Sequence, residues 1–115
     1  MTDTITLTGT AASNVRHMTT STQHRIAAFT LTTPRRRYDS HTGTWHDDGT
    51  NDYHVIAHGP LAGNAHHSIR EGDRLIVIGT LRIRPWAAGD RSGRVLEVEA
   101  TAIGHDLAHT PARTT

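Results

Sequence analysis

Apolar and polar residues alternate along much of the chain, and this pattern predicts β-strands because successive side chains of a strand point to opposite faces. In the stretch RIAAFTLTT, one face carries Phe29, the one aromatic residue that we assign to the core. Gly9, inside the stretch ITLTGTAA, indicates a bulge or a tight bend. Five segments share the pattern: ITLTGTAA (5–12), RIAAFTLTT (25–33), YHVIAHG (53–59), LIVIGTLRIR (75–84) and RVLEVEATAIG (94–104).

The segments between these strands supply a helix and several turns. Pro60 suits the first position of a helix, so PLAGNAHHSI is the predicted helix. SNVRHMTTSTQH (13–24) predicts a turn, and the polar segment 38–51 is predicted as the tip of a long hairpin. The order strand, strand, strand, helix, strand, strand matches the OB-fold, an all-β Greek-key barrel of five strands with one short helix between the third and the fourth. A small antiparallel sheet of another topology fits the same order.

A chain of 115 residues suits one domain, which we assign to residues 1–107. The remaining residues, AHTPARTT (108–115), have no pattern and are expected to form a disordered tail. The chain has no cysteine, so disulfides and thiolate metal sites are excluded. The opening MTDTITLTGT lacks the features of a secretory signal, and no apolar run approaches the ~20 residues that span a bilayer. We therefore expect a cytoplasmic protein without membrane contact.

The formal net charge is only +1, yet all twelve basic residues are arginine. A guanidinium group is planar, stacks on rings and binds phosphate through two hydrogen bonds, although biased codon usage would also replace lysine by arginine. Residues 74–94 carry five arginines against one aspartate, whereas residues 95–106 carry three acidic residues and no arginine. The sequence thus predicts one basic hairpin in a nearly neutral chain.

Side-chain parity places arginines and aromatic rings on an outer face of the predicted barrel. In the fourth predicted strand, Leu81 and Ile83 are expected to point into the barrel. The alternate positions Arg82, Arg84 and Trp86 then point outward. Cations and exposed flat rings are what a single strand of nucleic acid requires, because cations contact its phosphates and rings stack on its unpaired bases.

The second predicted strand repeats this arrangement if it continues without a bulge. Arg36 and Tyr38 then lie on the face opposite Phe29 and Leu31. Two separate strands would each present an arginine followed by an aromatic ring, which predicts a binding surface for single-stranded nucleic acid.

Structural roles remain open for each aromatic residue. Trp86 also fits a lid over the end of the barrel, and Tyr38 also fits an ordinary cross-strand contact. Trp45, in HTGTWHDDG, fits a binding role, a subunit contact or a loop contact. Tyr53 shares its parity with Val55 and is assigned to packing or to a subunit interface.

Metal binding and catalysis find little support in the sequence. Among ten histidines, His54 and His58 are four residues apart, but on a strand their backbones are separated by ~13 Å, too far to share an ion. Asp47 and Asp48 are adjacent in a predicted turn, without a placed base or a phosphate-binding glycine loop. We expect no metal, no cofactor and no enzymatic activity.

The ordered set of segments resembles the bacterial single-stranded DNA-binding proteins. The similar segments are ITLTGTAA, IAAFTLTT with the Arg-Tyr-Asp hairpin and TGTWHDDGT, PLAGNA, EGDRLIVIGTLRIRPW and VEATAIGHDL, which span about residues 3–107. The resemblance implies an OB-fold homotetramer that wraps single-stranded DNA without sequence specificity during replication, recombination or repair, at the nucleoid and without catalysis.

The resemblance also assigns roles to individual residues. Tyr38 and Trp86 match stacking positions of that family, and Trp45 fits a tryptophan often found in the same hairpin. Asp52 and His58 stand where many members have further aromatic residues, so they are departures from the family pattern. An aspartate on the binding face would repel phosphate, and a histidine stacks more weakly than a larger ring.

The end of the chain departs from that family as well. Its principal members end in a flexible linker and an acidic tip that recruits other proteins, whereas this chain ends in HTPARTT. This predicts an accessory paralogue without a recruiting tail, and it allows mixed assembly with a longer paralogue. The alternative is an OB-fold adaptor that contacts proteins and binds nucleic acid, including RNA, only incidentally.

Overall fold

The computed structural model describes residues 3–109 of the chain, apart from the side chain of Asp48. Most of the predicted tail, 108–115, lies outside the described residues, while Ala108 and His109 belong to a turn closed by hydrogen bonds to Asp106. The elements are β1 (Thr4–Ala11), β2 (Arg16–Thr19), β3 (Arg25–Asp39), β4 (Thr44–His58), α1 (Pro60–Ser68), β5 (Arg74–Ala88) and β6 (Arg91–His105).

The strands form one sheet in the order β1-β5-β6-β4-β3-β2, and a second pairing of β1 with β3 closes it into a barrel. The closing contact joins Thr10 to Thr32 and Ala11 to Leu31. The strand pairs are antiparallel, apart from β4 and β6, which run parallel. With α1 between β4 and β5, this is the OB-fold, and the predicted fold class is confirmed.

The predicted turn over residues 13–24 is wrong in its middle, because Arg16–Thr19 forms the short strand β2. β2 pairs with β3 from Arg16 opposite Ala28 to Thr19 opposite Arg25. All four of its residues are exposed, so this strand has no alternation of apolar and polar side chains that a sequence pattern could reveal.

Two hairpins extend much farther than the sequence predicts. β3 and β4 continue through the segment predicted as a hairpin tip and form a two-stranded arm, the β3–β4 arm, which turns at residues 40–43. β5 and β6 form a second arm, the β5–β6 arm, which turns at residues 89–90. The prediction that Ile83 points into the barrel is wrong, because Ile83 is 51% exposed where β5 enters this arm. Most side chains on both arms are exposed, because neither face of an arm packs against the barrel core.

The core lies inside the barrel and under the helix. Phe29 is buried, as predicted. α1 packs against β3 and β4 through Ala62 and Ala65, with Pro60 in its first turn. Within residues 3–109, no helix is long and apolar enough to cross a membrane. The largest fully buried side chains are those of Leu31, Leu75, Val55, Val77 and Val98.

Replacing Gly79 by alanine should destabilise the barrel. Gly79 lies at a bulge where β5 meets β6, and a Cβ atom there would collide with the main chain of Glu99 and Ala100. Overpacking of this kind typically costs about 1–3 kcal/mol. Gly104→Ala is the matched control, since a Cβ at Gly104 meets nothing within 4 Å. Urea denaturation should show a lower midpoint for Gly79→Ala only; equal midpoints for the two variants would contradict the packing described.

Candidate nucleic-acid interface

One outer face of the sheet gathers most of the residues that the sequence singled out. This outer face consists of the side chains on β3, β4, β6 and β5 that point away from the core. Cross-strand pairs decide which of these side chains are neighbours: Thr32 lies opposite Asp52, His54 opposite Glu97, and Glu97 opposite Arg82. Its members include Thr32, Arg36 and Tyr38 on β3, Asp52, His54 and His58 on β4, Glu97 and Glu99 on β6, and Arg82, Arg84 and Trp86 on β5.

A bulge in the β3–β4 arm brings Trp45 onto the outer face. The register shifts between Pro34, which pairs with Thr50, and Arg36, which pairs with Asp47, so β4 holds one extra residue. Gly49 has a φ of 90° there, a value that non-glycine residues rarely adopt. Because the extra residue reverses side-chain parity on β4 alone, simple alternation would have put Trp45 on the wrong face.

Tyr38 and Trp45 are therefore direct cross-strand partners. Their ring centroids lie 5.3 Å apart with an interplanar angle of 63°, which is an edge-to-face contact. Both rings remain accessible, with Tyr38 51% exposed and Trp45 65% exposed. The cross-strand contact for Tyr38 and its exposure on the outer face thus occur together.

Trp86 lies on the β5–β6 arm directly opposite Gly93. A Cβ atom at Gly93 would be 2.7 Å from the indole Nε1 and 2.9 Å from Cε2, so the ring rests on the backbone of β6. Trp86 nevertheless remains 44% exposed. The ring is held on one side and open on the other.

Arg82 and Arg84, the two arginines that β5 places on the outer face, are paired with carboxylates. Nη2 of Arg84 lies 2.6 Å from Oε2 of Glu97, and Nη2 of Arg82 lies 3.0 Å from Oε2 of Glu99. The sequence showed the basic segment 74–94 and the acidic segment that follows it, but not that β5 and β6 align them face to face. Arg36, by contrast, forms no ion pair with any carboxylate that the structure describes.

His58 lies in a network that the sequence did not predict. Its Nδ1 is 2.9 Å from Nε2 of His24, and its Nε2 is 3.9 Å from Oε1 of Glu99. The rings of the two histidines are tilted by 31°. Among the described residues, no group of three or more side chains is arranged to hold a metal ion.

Asp52 and Tyr53 point to opposite sides of β4. Asp52 lies on the outer face and accepts a hydrogen bond of 2.9 Å from the Thr32 hydroxyl. Tyr53 is half-buried and packs against the core, which is one of the two roles considered for it. An acidic residue therefore lies on the outer face, where the resemblance implied it.

Comparison with known proteins gives a consistent result. A model of the single-strand binding protein family matches residues 2–106. Single-stranded DNA-binding protein 2 of Tropheryma whipplei is 38% identical over 103 residues, which are 90% of this chain and 68% of that protein. The crystal structure of a small single-stranded DNA-binding protein from Streptomyces coelicolor matches with a TM-score of 0.81 at 30% identity, covering 96% of this chain and 99% of that one.

A further solved structure supports the fold alone. The second single-stranded DNA-binding protein of Mycobacterium smegmatis matches with a TM-score of 0.75 at 23% identity, covering 100% of this chain and 99% of that one. The family match spans nearly all of the chain, including both arms and the residues of the outer face. This chain belongs to the single-strand binding protein family.

Proposed function

We propose that this protein binds single-stranded DNA without sequence specificity and protects it during replication, recombination or repair, at the nucleoid and without catalysis. The observation that carries the proposal is the presence of exposed aromatic rings on both arms, all on the outer face: Tyr38, Trp45 and Trp86. Membership of the single-strand binding protein family supports the same conclusion.

Stacking provides most of the affinity in this proposal. Each base that stacks on an aromatic side chain contributes about 1–3 kcal/mol, whatever its identity. The open side of Trp86 suits one base, and the edge-to-face pair of Tyr38 and Trp45 suits others at the second arm. A duplex does not expose the faces of its bases, so such a surface favours single strands.

Contacts between arginines and phosphates provide a smaller part of the affinity. Arg36, on the β3–β4 arm, lies opposite Asp47 without an ion pair between them and can contact a phosphate group, whereas Arg82 and Arg84 are paired with glutamates. Asp52 adds a negative charge to the same face, and His58 is a weaker stacking ring than a larger aromatic residue. We therefore expect an affinity that depends less on salt than the arginine content suggests.

Assembly completes the proposed mode of binding. We propose a homotetramer, alone or mixed with a longer paralogue, around which a long single strand wraps. The competing function is that of a protein adaptor, which the pairing of Arg82 and Arg84 with glutamates favours because it leaves fewer free cations for phosphate. The two functions differ in how affinity depends on the length of the single strand. Wrapping requires a long strand, whereas an adaptor does not.

Binding of labelled oligo(dT) of increasing length, followed by fluorescence anisotropy, tests this function. We expect the affinity to rise with length until a defined site is filled. Trp86→Ala should weaken binding by about tenfold, the equivalent of one stacked base, and Trp45→Ala should weaken it as well. Leu107→Ala is the control, because Leu107 is a large apolar residue that is 70% exposed outside the outer face. Affinity that is independent of length and equal in Trp86→Ala and Leu107→Ala would support the adaptor instead.

Gly93→Ala should move the indole of Trp86 without unfolding the barrel. The new Cβ would occupy the space against which the ring rests, so the ring must turn or lift. In a Trp45→Phe background, where Trp86 is the remaining tryptophan, its emission should shift and the affinity for oligo(dT) should fall. Ser92→Ala, one residue away on β6, is the matched control. Unchanged emission and affinity in Gly93→Ala would refute the proposed support of this ring.

A further inference from the structure

We propose that Glu97 and Glu99 compete with DNA phosphate for Arg84 and Arg82, respectively. These two ion pairs thereby limit the affinity of the outer face for single strands. The inference rests on the proposed function and concerns the control of the same site. It assigns a role to two carboxylates that a stacking surface for polyanions does not require.

The geometry of the four side chains supports this role. Each arginine has one carboxylate within hydrogen-bond distance, Arg84 with Glu97 at 2.6 Å and Arg82 with Glu99 at 3.0 Å. A carboxylate presents two oxygens to a guanidinium group as a phosphate does, so both anions compete for the same donors. A phosphate that approaches either arginine must displace a glutamate or share the arginine with it.

The glutamates lie in the middle of the outer face rather than at its rim. In the sheet, Glu97 lies between His54 on β4 and Arg82 on β5, and Glu99 lies between Ile56 and Thr80. A strand of DNA that reaches from the β3–β4 arm to the β5–β6 arm across this face passes over β6. It would therefore meet both carboxylates.

Exposure separates this role from a purely structural one. The side chains of Arg82 and Glu99 are 60% and 44% exposed, and an ion pair between two such exposed groups adds little to folding stability. Glu97 is only 15% exposed, but its partner Arg84 is 67% exposed and accessible to a ligand. The Arg82–Glu99 pair thus affects the charge offered to a ligand more than it stabilises the barrel.

Glu99 also faces His58. Its Oε1 lies 3.9 Å from Nε2 of His58, whose other ring nitrogen contacts His24. Glu99 therefore connects Arg82 on β5 with the pair of His58 on β4 and His24, and its replacement removes the anion shared by both. A glutamine keeps the shape of the side chain and removes only the charge.

The test compares Glu97→Gln, Glu99→Gln and the double variant with the wild-type protein in binding oligo(dT) between about 50 mM and 200 mM salt. Each freed arginine should make the slope of log affinity against log salt more negative by about 0.7, which corresponds to about fivefold tighter binding near 0.1 M. Glu71→Gln, in the turn before β5, removes the same charge away from the outer face and should leave affinity nearly unchanged. In an Arg82→Gln background, the gain from Glu99→Gln should largely disappear.

Three results would overturn the inference. Unchanged or weaker binding by the double variant, with a wild-type protein that does bind, would refute it and leave the proposed function standing. An equal gain from Glu71→Gln would show an effect of net charge rather than of these ion pairs. Absence of binding by the wild-type protein and by every variant at low salt would refute the proposed function and this inference together.

Discussion

The register of the two long hairpins is the constraint on which the outer face depends. In a sheet, a shift by one residue moves every following side chain to the other face, so pairing rather than composition decides which residues meet. Here the register places Trp86 against Gly93, and the bulge at Gly49 places Trp45 against Tyr38. The same register aligns the arginines of β5 with the glutamates of β6.

The resulting surface combines accessible rings at its ends with balanced charges in its middle. The arms carry the rings of Tyr38, Trp45 and Trp86, all of them at least 44% exposed. Between the arms, two arginines meet two glutamates, and a third carboxylate, Asp52, is hydrogen-bonded to Thr32. We propose that this surface favours ligands with open base faces over ligands that offer phosphate alone.

Much of this arrangement can be predicted from the sequence, and the predictions that were wrong or missing have identifiable physical reasons. Alternation predicted the barrel strands and the outward positions of Arg82, Arg84, Tyr38 and Trp86, because burial on one side imposes a period of two. It missed β2 and the full length of both arms, whose residues are exposed, and it placed Ile83 inward because apolar character on an arm does not mean burial. Only the three-dimensional pairing reveals the partner of Trp45, the contact of His24 with His58 and the pairing of each arginine with a glutamate.

Photocrosslinking to an oligonucleotide that carries bromodeoxyuridine is the most direct test of the central claim that single strands lie on the outer face. Mass spectrometry would identify the residues joined to the DNA. We expect adducts at Trp86 and at Tyr38 or Trp45, one site on each arm. Adducts confined to β1 or α1, with none on either arm, would contradict it.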